Sequence, residues 1–219
     1  MKKGKDLKEN NKKINKLLLI ILIISLIIFI ITLITLVTKA TLLLDYSIYL
    51  ANKNIQNPFL TLFFILITSL ANTIPLITIS IILGLFFIFR KRYYYLAIFM
   101  FSMLIGFITE NLLKIIIHRI RPSSSIISMS GYSFPSGHAT MAIIFLTLII
   151  AYTLEYLKNK KARIFLPFLL VLLILLIGYS RIYLGVHWFS DIVAGYSLGL
   201  FVLSSSAIII KKVEKSFKL

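Results

Sequence analysis

Residues 17–38 read LLLIILIISLIIFIITLITLVT, a run of 22 residues without a charge. About 20 apolar residues suffice to carry a helix across the hydrocarbon of a bilayer. The run is long for a cleaved leader, and Thr38-Lys39-Ala40 is a poor small-residue cleavage site, so a retained first span is expected. The rest of the chain agrees: 59% of its 219 residues are hydrophobic and 14% are charged, too little polar surface to cover a water-soluble globule.

Further apolar runs follow. Phe59 to Phe89 is too long for one ordinary span and is broken at Asn72-Thr73-Ile74-Pro75. Its first piece, Phe59 to Ala71, has the length of an interfacial or re-entrant segment, and its second, Ile74 to Phe89, is long enough to cross with slightly extended ends. Other runs begin near Tyr94, Ala139, Ile164 and Ile192. The expectation is an all-α, polytopic membrane bundle of six transmembrane helices. Residues 17–210 form the span-bearing domain, between a basic segment 1–16 and a basic tail 211–219.

The net charge of +17 would point to nucleic acid in a soluble protein. Here the basic residues gather in short clusters between spans, as topology requires, and no nucleic-acid partner is expected. Residues 2–16 hold seven, Arg90 to Arg92 three, Lys158 to Arg163 four, and the tail from Lys211 four. In a six-span chain all 18 fall on one side. Short cytoplasmic segments carry such an excess, so both termini are expected in the cytoplasm. Only Lys39, Lys53, Lys114, Arg119, Arg121 and Arg181 fall on the other side.

Four of those six share two short stretches with two of the three histidines. The first stretch is Lys114-Ile-Ile-Ile-His-Arg-Ile-Arg121-Pro122. Read as a helix that ends at Pro122, it puts Lys114 and Arg121 two turns apart on one face. A second is Pro135-Ser136-Gly137-His138, just before a span. Ser136 is placed to cap that helix, Gly137 allows close approach of a ligand, and the helix start offers N–H groups to an anion. The third is Ser180-Arg181-Ile-Tyr-Leu-Gly-Val-His187-Trp-Phe-Ser-Asp191. His187 and Asp191 are four apart, so on a helix the carboxylate reaches one imidazole nitrogen and leaves the other for a substrate. With no cysteine in the chain, neither a disulfide nor a thiolate nucleophile is available.

Together these stretches resemble the three signature motifs of the type-2 phosphatidic acid phosphatase superfamily, membrane lipid phosphatases that share a core with vanadium haloperoxidases. The patterns Lys-x6-Arg-Pro, Pro-Ser-Gly-His and Ser-Arg-x5-His-x3-Asp are complete and in order across residues 114–191. The resemblance implies a lipid phosphate or diphosphate as substrate. In it His187 is the nucleophile, Asp191 fixes its tautomer, and His138 protonates the leaving oxygen. Lys114, Arg121, Arg181, Ser136 and Gly137 would hold the phosphate. No metal or other cofactor is implied, and the site would lie on the extracytoplasmic face of the cell membrane. Undecaprenyl diphosphate is the leading substrate expectation, followed by phosphatidylglycerophosphate and phosphatidic acid. A lipid phosphotransferase or a non-catalytic lipid transporter remains as an alternative.

The remaining polar residues near the motifs carry weaker expectations. His118 is read as an interfacial or packing residue, and Arg119 as a headgroup anchor. Glu110, one turn before Lys114, is a candidate to pair with it. Gly195-x3-Gly199 is read as a small-residue pair for close helix packing.

Overall fold

In lipid every backbone N–H and C=O must find its partner within the chain, which leaves helices as the solution for apolar runs of this length. The computed structural model describes the backbone of residues 2–217 and the side chains of residues 12–213. The side chains of Lys2, Lys3, Lys5, Lys8, Lys215 and Lys218 in the expected basic segments lie outside that range. The described chain is eight helices: α1 Lys2–Val37, α2 Leu42–Asn54, α3 Pro58–Ser69, α4 Thr73–Phe89, α5 Tyr93–Ile117, α6 Gly137–Tyr156, α7 Lys160–Tyr183 and α8 Phe189–Phe217.

Five of them, α1 and α5 to α8, are long and apolar enough to cross a membrane. Helices α3 and α4 pass the same test as a pair bent by 45°, and as one broken span they make the sixth crossing. The 12-residue α3 is too short to span alone at about 1.5 Å per residue. Its start is set locally: Pro58 stands at the first turn, and the Asn57 side chain accepts the Leu60 N–H at 3.0 Å. Helix α1 begins at Lys2 and α8 runs on to Phe217, so both helices extend into the basic segments.

Helices α6 and α8 form the buried centre. Helix α1 packs along α8, α5 against both α6 and α8, and α7 against α6; α3 lies on α7 and α4 on α5. The approach of α8 to α6 depends on the glycine pair expected from the sequence. A Cβ on Gly195 would stand 2.7 Å from the Ser136 carbonyl oxygen and 2.9 Å from the Ala139 Cβ, and one on Gly199 would stand 2.2 Å from Ile143. At the end where α4 meets α5 and α6 meets α7, the Arg92 guanidinium lies 4.0 Å from the centre of the Tyr156 ring. The Tyr95 hydroxyl there donates to Glu155 at 2.5 Å.

Substituting Gly195→Ala should therefore push α8 off α6. Backbone atoms at the contact cannot rotate away, so a loss of about 1–3 kcal/mol is expected, as for other overpacked cores. Thermal unfolding of the detergent-solubilised variant checks this, and an unchanged midpoint would show that the two helices are not held at that distance.

Candidate active site

The three motifs converge at the other end of the bundle. Their order in the chain requires it: motif one straddles the end of α5, motif two opens α6, and motif three joins α7 to α8. The Ser136 N–H donates to the Asp191 carbonyl at 3.1 Å, tying the second motif to the third.

Helix α5 stops earlier than Pro122 suggests. It ends at Ile117, and His118 adopts a left-handed conformation (φ 51°) as its C-cap. Arg121 thus lies in the following loop, and the expected shared helical face with Lys114 does not exist. Arg121 is instead held by carbonyls: Nε donates to Gly131, and Nη2 to Ser130 and Tyr132. Nη1 donates to Val186 at 2.7 Å and contacts His187 Nε2 at 3.1 Å. His118 packs edge-on against Tyr132, in keeping with its expected packing role.

His187 precedes α8, whose first turn carries Asp191. The two side chains still meet, with Nδ1 3.3 Å from Asp191 Oδ2. A guanidinium only donates, so Nε2 facing Arg121 must present its lone pair, and the ring hydrogen belongs on Nδ1, toward the carboxylate. Burial pushes the His187 imidazole down to about 4, against the pull of Asp191, with Arg181 and Arg121 pushing the same way as burial. Burial therefore favours the neutral form of the ring.

Around it stand groups with unused hydrogen-bonding capacity. Arg181, 1% exposed, donates through Nη1 to Thr68 Oγ1 at 2.8 Å, while its Nε and Nη2 have no partner. Ser136 occupies the N-cap of α6 but its hydroxyl does not cap the helix; Oγ is buried and free. Orphaned donors of this kind are rare in folded proteins, which makes Arg181 and Ser136 candidates to bind an anion. Lys114 Nζ is 3.1 Å from Glu110, the pairing expected from their spacing. The Glu110 carboxylate lies against Gly137, where a Cβ would come within 2.2 Å of Oε2, which is why glycine is required there. His138 Nε2 meets Asn72 Oδ1 at 2.9 Å, and Arg181, His187, Lys114 and Arg121 lie close enough to act on it electrostatically. Among the described residues no three His, Asp or Glu side chains are grouped to hold a metal ion.

Arg119 is not a headgroup anchor. Its side chain is 9% exposed and bridges two buried carboxylates, Asp191 at 2.5 Å and Asp45 at 2.6 Å. The loop that replaces the last turn of α5 turns it inward. Sequence reading also missed Asp45, Thr68 and Asn72. For Asp45 a signal existed: an acidic residue in the Leu-rich stretch 42–50 needs a partner. For Thr68 and Asn72 there was none, because uncharged polar residues at a helix break read as punctuation.

A buried guanidinium with two unpartnered nitrogens is costly to the protein. Arg181→Met should leave the thermal midpoint unchanged or raised, while abolishing stabilisation by inorganic phosphate or orthovanadate. A variant that still responds to either anion would move the anion site elsewhere.

Comparison with known proteins agrees with this geometry. Residues 95–215, more than half of the chain, match the PAP2 superfamily. The chain is 32% identical to phosphatidylglycerophosphatase B of Bacillus subtilis over 166 residues, covering 71% of this chain and 78% of that protein. It is 30% identical to the lipid A 4'-phosphatase of Porphyromonas gingivalis over 178 residues, covering 74% and 70%. It is also 37% identical to an undecaprenyl-diphosphatase of Sulfolobus acidocaldarius over 97 residues, 41% of each chain. The crystal structure of a transmembrane PAP2-type phosphatidylglycerolphosphate phosphatase from Bacillus subtilis superposes with a TM-score of 0.78 at 25% identity, covering 89% of this chain and 96% of that one. That of Aquifex aeolicus LpxE gives 0.61 at 26% identity, covering 77% and 95%. With its motifs assembled at one end of an all-helical bundle, this chain belongs to the PAP2 superfamily of membrane phosphatases.

Proposed function

We propose that the protein removes a phosphate from a membrane lipid by a two-step displacement through a phosphohistidine on His187. The observation that carries this reading is the state of that ring. Its Nδ1–H faces Asp191 and its Nε2 lone pair faces the Arg121 guanidinium, while Arg181, whose Nε and Nη2 have no partner, is close enough to act on the ring electrostatically. A phosphate bound by those donors also draws the Arg121 guanidinium, freeing Nε2 to attack phosphorus.

In the first step a P–N bond forms, the P–O bond to the lipid breaks, and His138 supplies the proton the departing oxygen needs. Asp191 stabilises the positive charge on the phosphorylated ring. Lys114, Arg121, Arg181, Ser136 and the Gly137 N–H disperse the charge on the equatorial oxygens. In the second step water attacks phosphorus, with His138 taking its proton. The P–N bond breaks, inorganic phosphate leaves, and His187 is restored. Three fixed cations do the work a metal would otherwise do, so activity is expected to persist in EDTA.

The charge distribution supports an outward-facing site with both termini in the cytoplasm, and a lipid that reaches it sideways from the outer leaflet. Undecaprenyl diphosphate, converted to undecaprenyl phosphate, is the first candidate. Phosphatidylglycerophosphate is the second reading, favoured by the name of the relative matched over 71% of the chain.

Phosphate release from these two lipids and from phosphatidic acid, measured side by side with EDTA, tests the activity and ranks the substrates. His187→Ala should lose roughly a thousandfold or more. Release by that variant at a normal rate would remove the nucleophile from the mechanism, and a phosphorylated lipid acceptor as main product would make the enzyme a transferase. A reporter fused to the C-terminus should read as cytoplasmic; an external signal would invert the topology.

The pH profile follows from the lowered pKa of His187. Protonation of Nε2 removes the nucleophile, so the limb of kcat/KM that His187 controls should lie near 4, well below the usual histidine value of about 6.5. Because the folded value is the lower one, the stability this residue contributes is full above about 6.5 and is lost as pH falls toward 4. A His187-dependent limb near neutrality would contradict the buried, neutral ring.

A further inference from the structure

We infer that Asp45 and Arg119 are positioning residues for the nucleophile, and that helix α2 is thereby a working part of the active site. This rests on the phosphohistidine reading above. Asp45 lies well upstream of the segment that matches the family, residues 95–215, and outside all three motifs.

The bonds form a closed ring. Arg119 Nη1 donates to Asp191 Oδ1 at 2.5 Å and to Ser190 Oγ at 2.7 Å, while Nη2 donates to Asp45 Oδ2 at 2.6 Å. Ser190 Oγ in turn donates to Asp45 Oδ2 at 2.6 Å, and the Ser190 N–H to Asp45 Oδ1 at 2.9 Å. Asp191 Oδ2 accepts from the Trp188 N–H at 2.9 Å and meets His187 Nδ1 at 3.3 Å. Every carboxylate oxygen is engaged, and both aspartates are almost fully buried, at 1% and 0% exposure. The Trp188 ring lies under the guanidinium at 5.6 Å, and its Nε1–H donates to the Ile120 carbonyl at 2.9 Å. Arg119 is thus fixed from three elements.

The charge count gives the arrangement its purpose. A buried Asp191 beside a neutral imidazole needs a cation to offset its desolvation, and Arg119 is that cation. Arg119 and Asp191 alone would make a neutral pair, with little left to balance the positive charge that appears on His187 when Nε2 is phosphorylated. Asp45 takes the other half of the guanidinium, so the cluster keeps one net negative charge. That charge faces the ring from the side opposite Arg121 Nη1. The other charged or titratable groups acting on His187 are Arg121 from the loop after α5, Arg181 from α7 and His138 from α6. All three disfavour a cation on the ring when positively charged. The Asp45–Arg119–Asp191 cluster is what opposes them.

Two near-isosteric variants of the full-length protein separate this role from a purely structural one. Asp45→Asn leaves the cluster neutral and should lower kcat about tenfold or more with KM within about twofold, because the missing charge is felt only once the ring becomes cationic. Arg119→Gln leaves it doubly negative and should move the acid limb of kcat/KM upward by about one pH unit or more. The substrate's own titration is common to all variants, so a difference between them belongs to the protein. An alkaline quench, which preserves a phosphohistidine, should trap phosphoenzyme in the wild type and less of it in Asp45→Asn. Phosphatidylglycerophosphate, undecaprenyl diphosphate and phosphatidic acid in mixed micelles serve as probes. Wild-type kcat in folded Asp45→Asn, or an unmoved limb in folded Arg119→Gln, overturns the assignment. If neither variant folds, Asp45→Ser decides, since it removes the same charge but keeps a hydroxyl in that place: a several-fold lower kcat supports the role and an unchanged kcat overturns it. A wild type that yields no phosphoenzyme from any of the three lipids defeats the nucleophile itself, which is a different result from a wild type that yields it and variants that behave alike.

Discussion

A carboxylate with no exposure to water, set against an imidazole that is itself 3% exposed, is the constraint on which the site end of this bundle is built. Asp191 is tolerable only because each of its oxygens is bonded and a guanidinium stands beside it. That requirement explains several features together. Helix α5 must end at Ile117 so that the chain beyond it brings Arg119 inward. The turn before α8 must present the Trp188 N–H and the His187 ring to one carboxylate oxygen. And α2 must be drawn against the bundle, because the guanidinium has a second half to satisfy and Asp45 satisfies it.

A second consequence concerns the broken span. A straight helix through residues 58–89 would satisfy its own backbone and offer the site nothing. The 45° bend between α3 and α4 lets Thr68 and Asn72, one on each side of the break, reach Arg181 and His138. Thr68 satisfies one nitrogen of the Arg181 guanidinium and leaves Nε and Nη2 without a partner. Asn72 accepts at one ring nitrogen of His138 and so restricts its rotation. Of the break itself only Ala71 is buried, while Leu70 and Asn72 are exposed.

Much of the architecture was legible because the bilayer is a severe solvent. Uncharged runs of about 20 residues and the Asn72–Pro75 interruption placed most of the long helices to within a few residues, although α1 begins at Lys2, well before the run at Leu17, and α2 was not expected. The pairing of Glu110 with Lys114 and the packing of Gly195 and Gly199 on α6 followed from spacing alone, since a helix puts positions four apart on one face. The same reasoning failed for Arg121 and Arg119, where helical spacing was carried past the true helix end. It also failed for the Ser136 hydroxyl, which spacing made a cap and the fold leaves free.

By itself the sequence determined the apolar character, the long helices and the family motifs, because hydropathy and motif spacing are local properties of the chain. Only the tertiary structure decided which of those residues touch. Asp45 and Arg119 are separated by 74 positions and Thr68 and Arg181 by 113. Contacts at that distance depend on where helices end and how they pack. Those are set by the burial of Asp191, which no periodicity records, and by which helices the glycine pair and the α3–α4 break bring together, which local spacing leaves open.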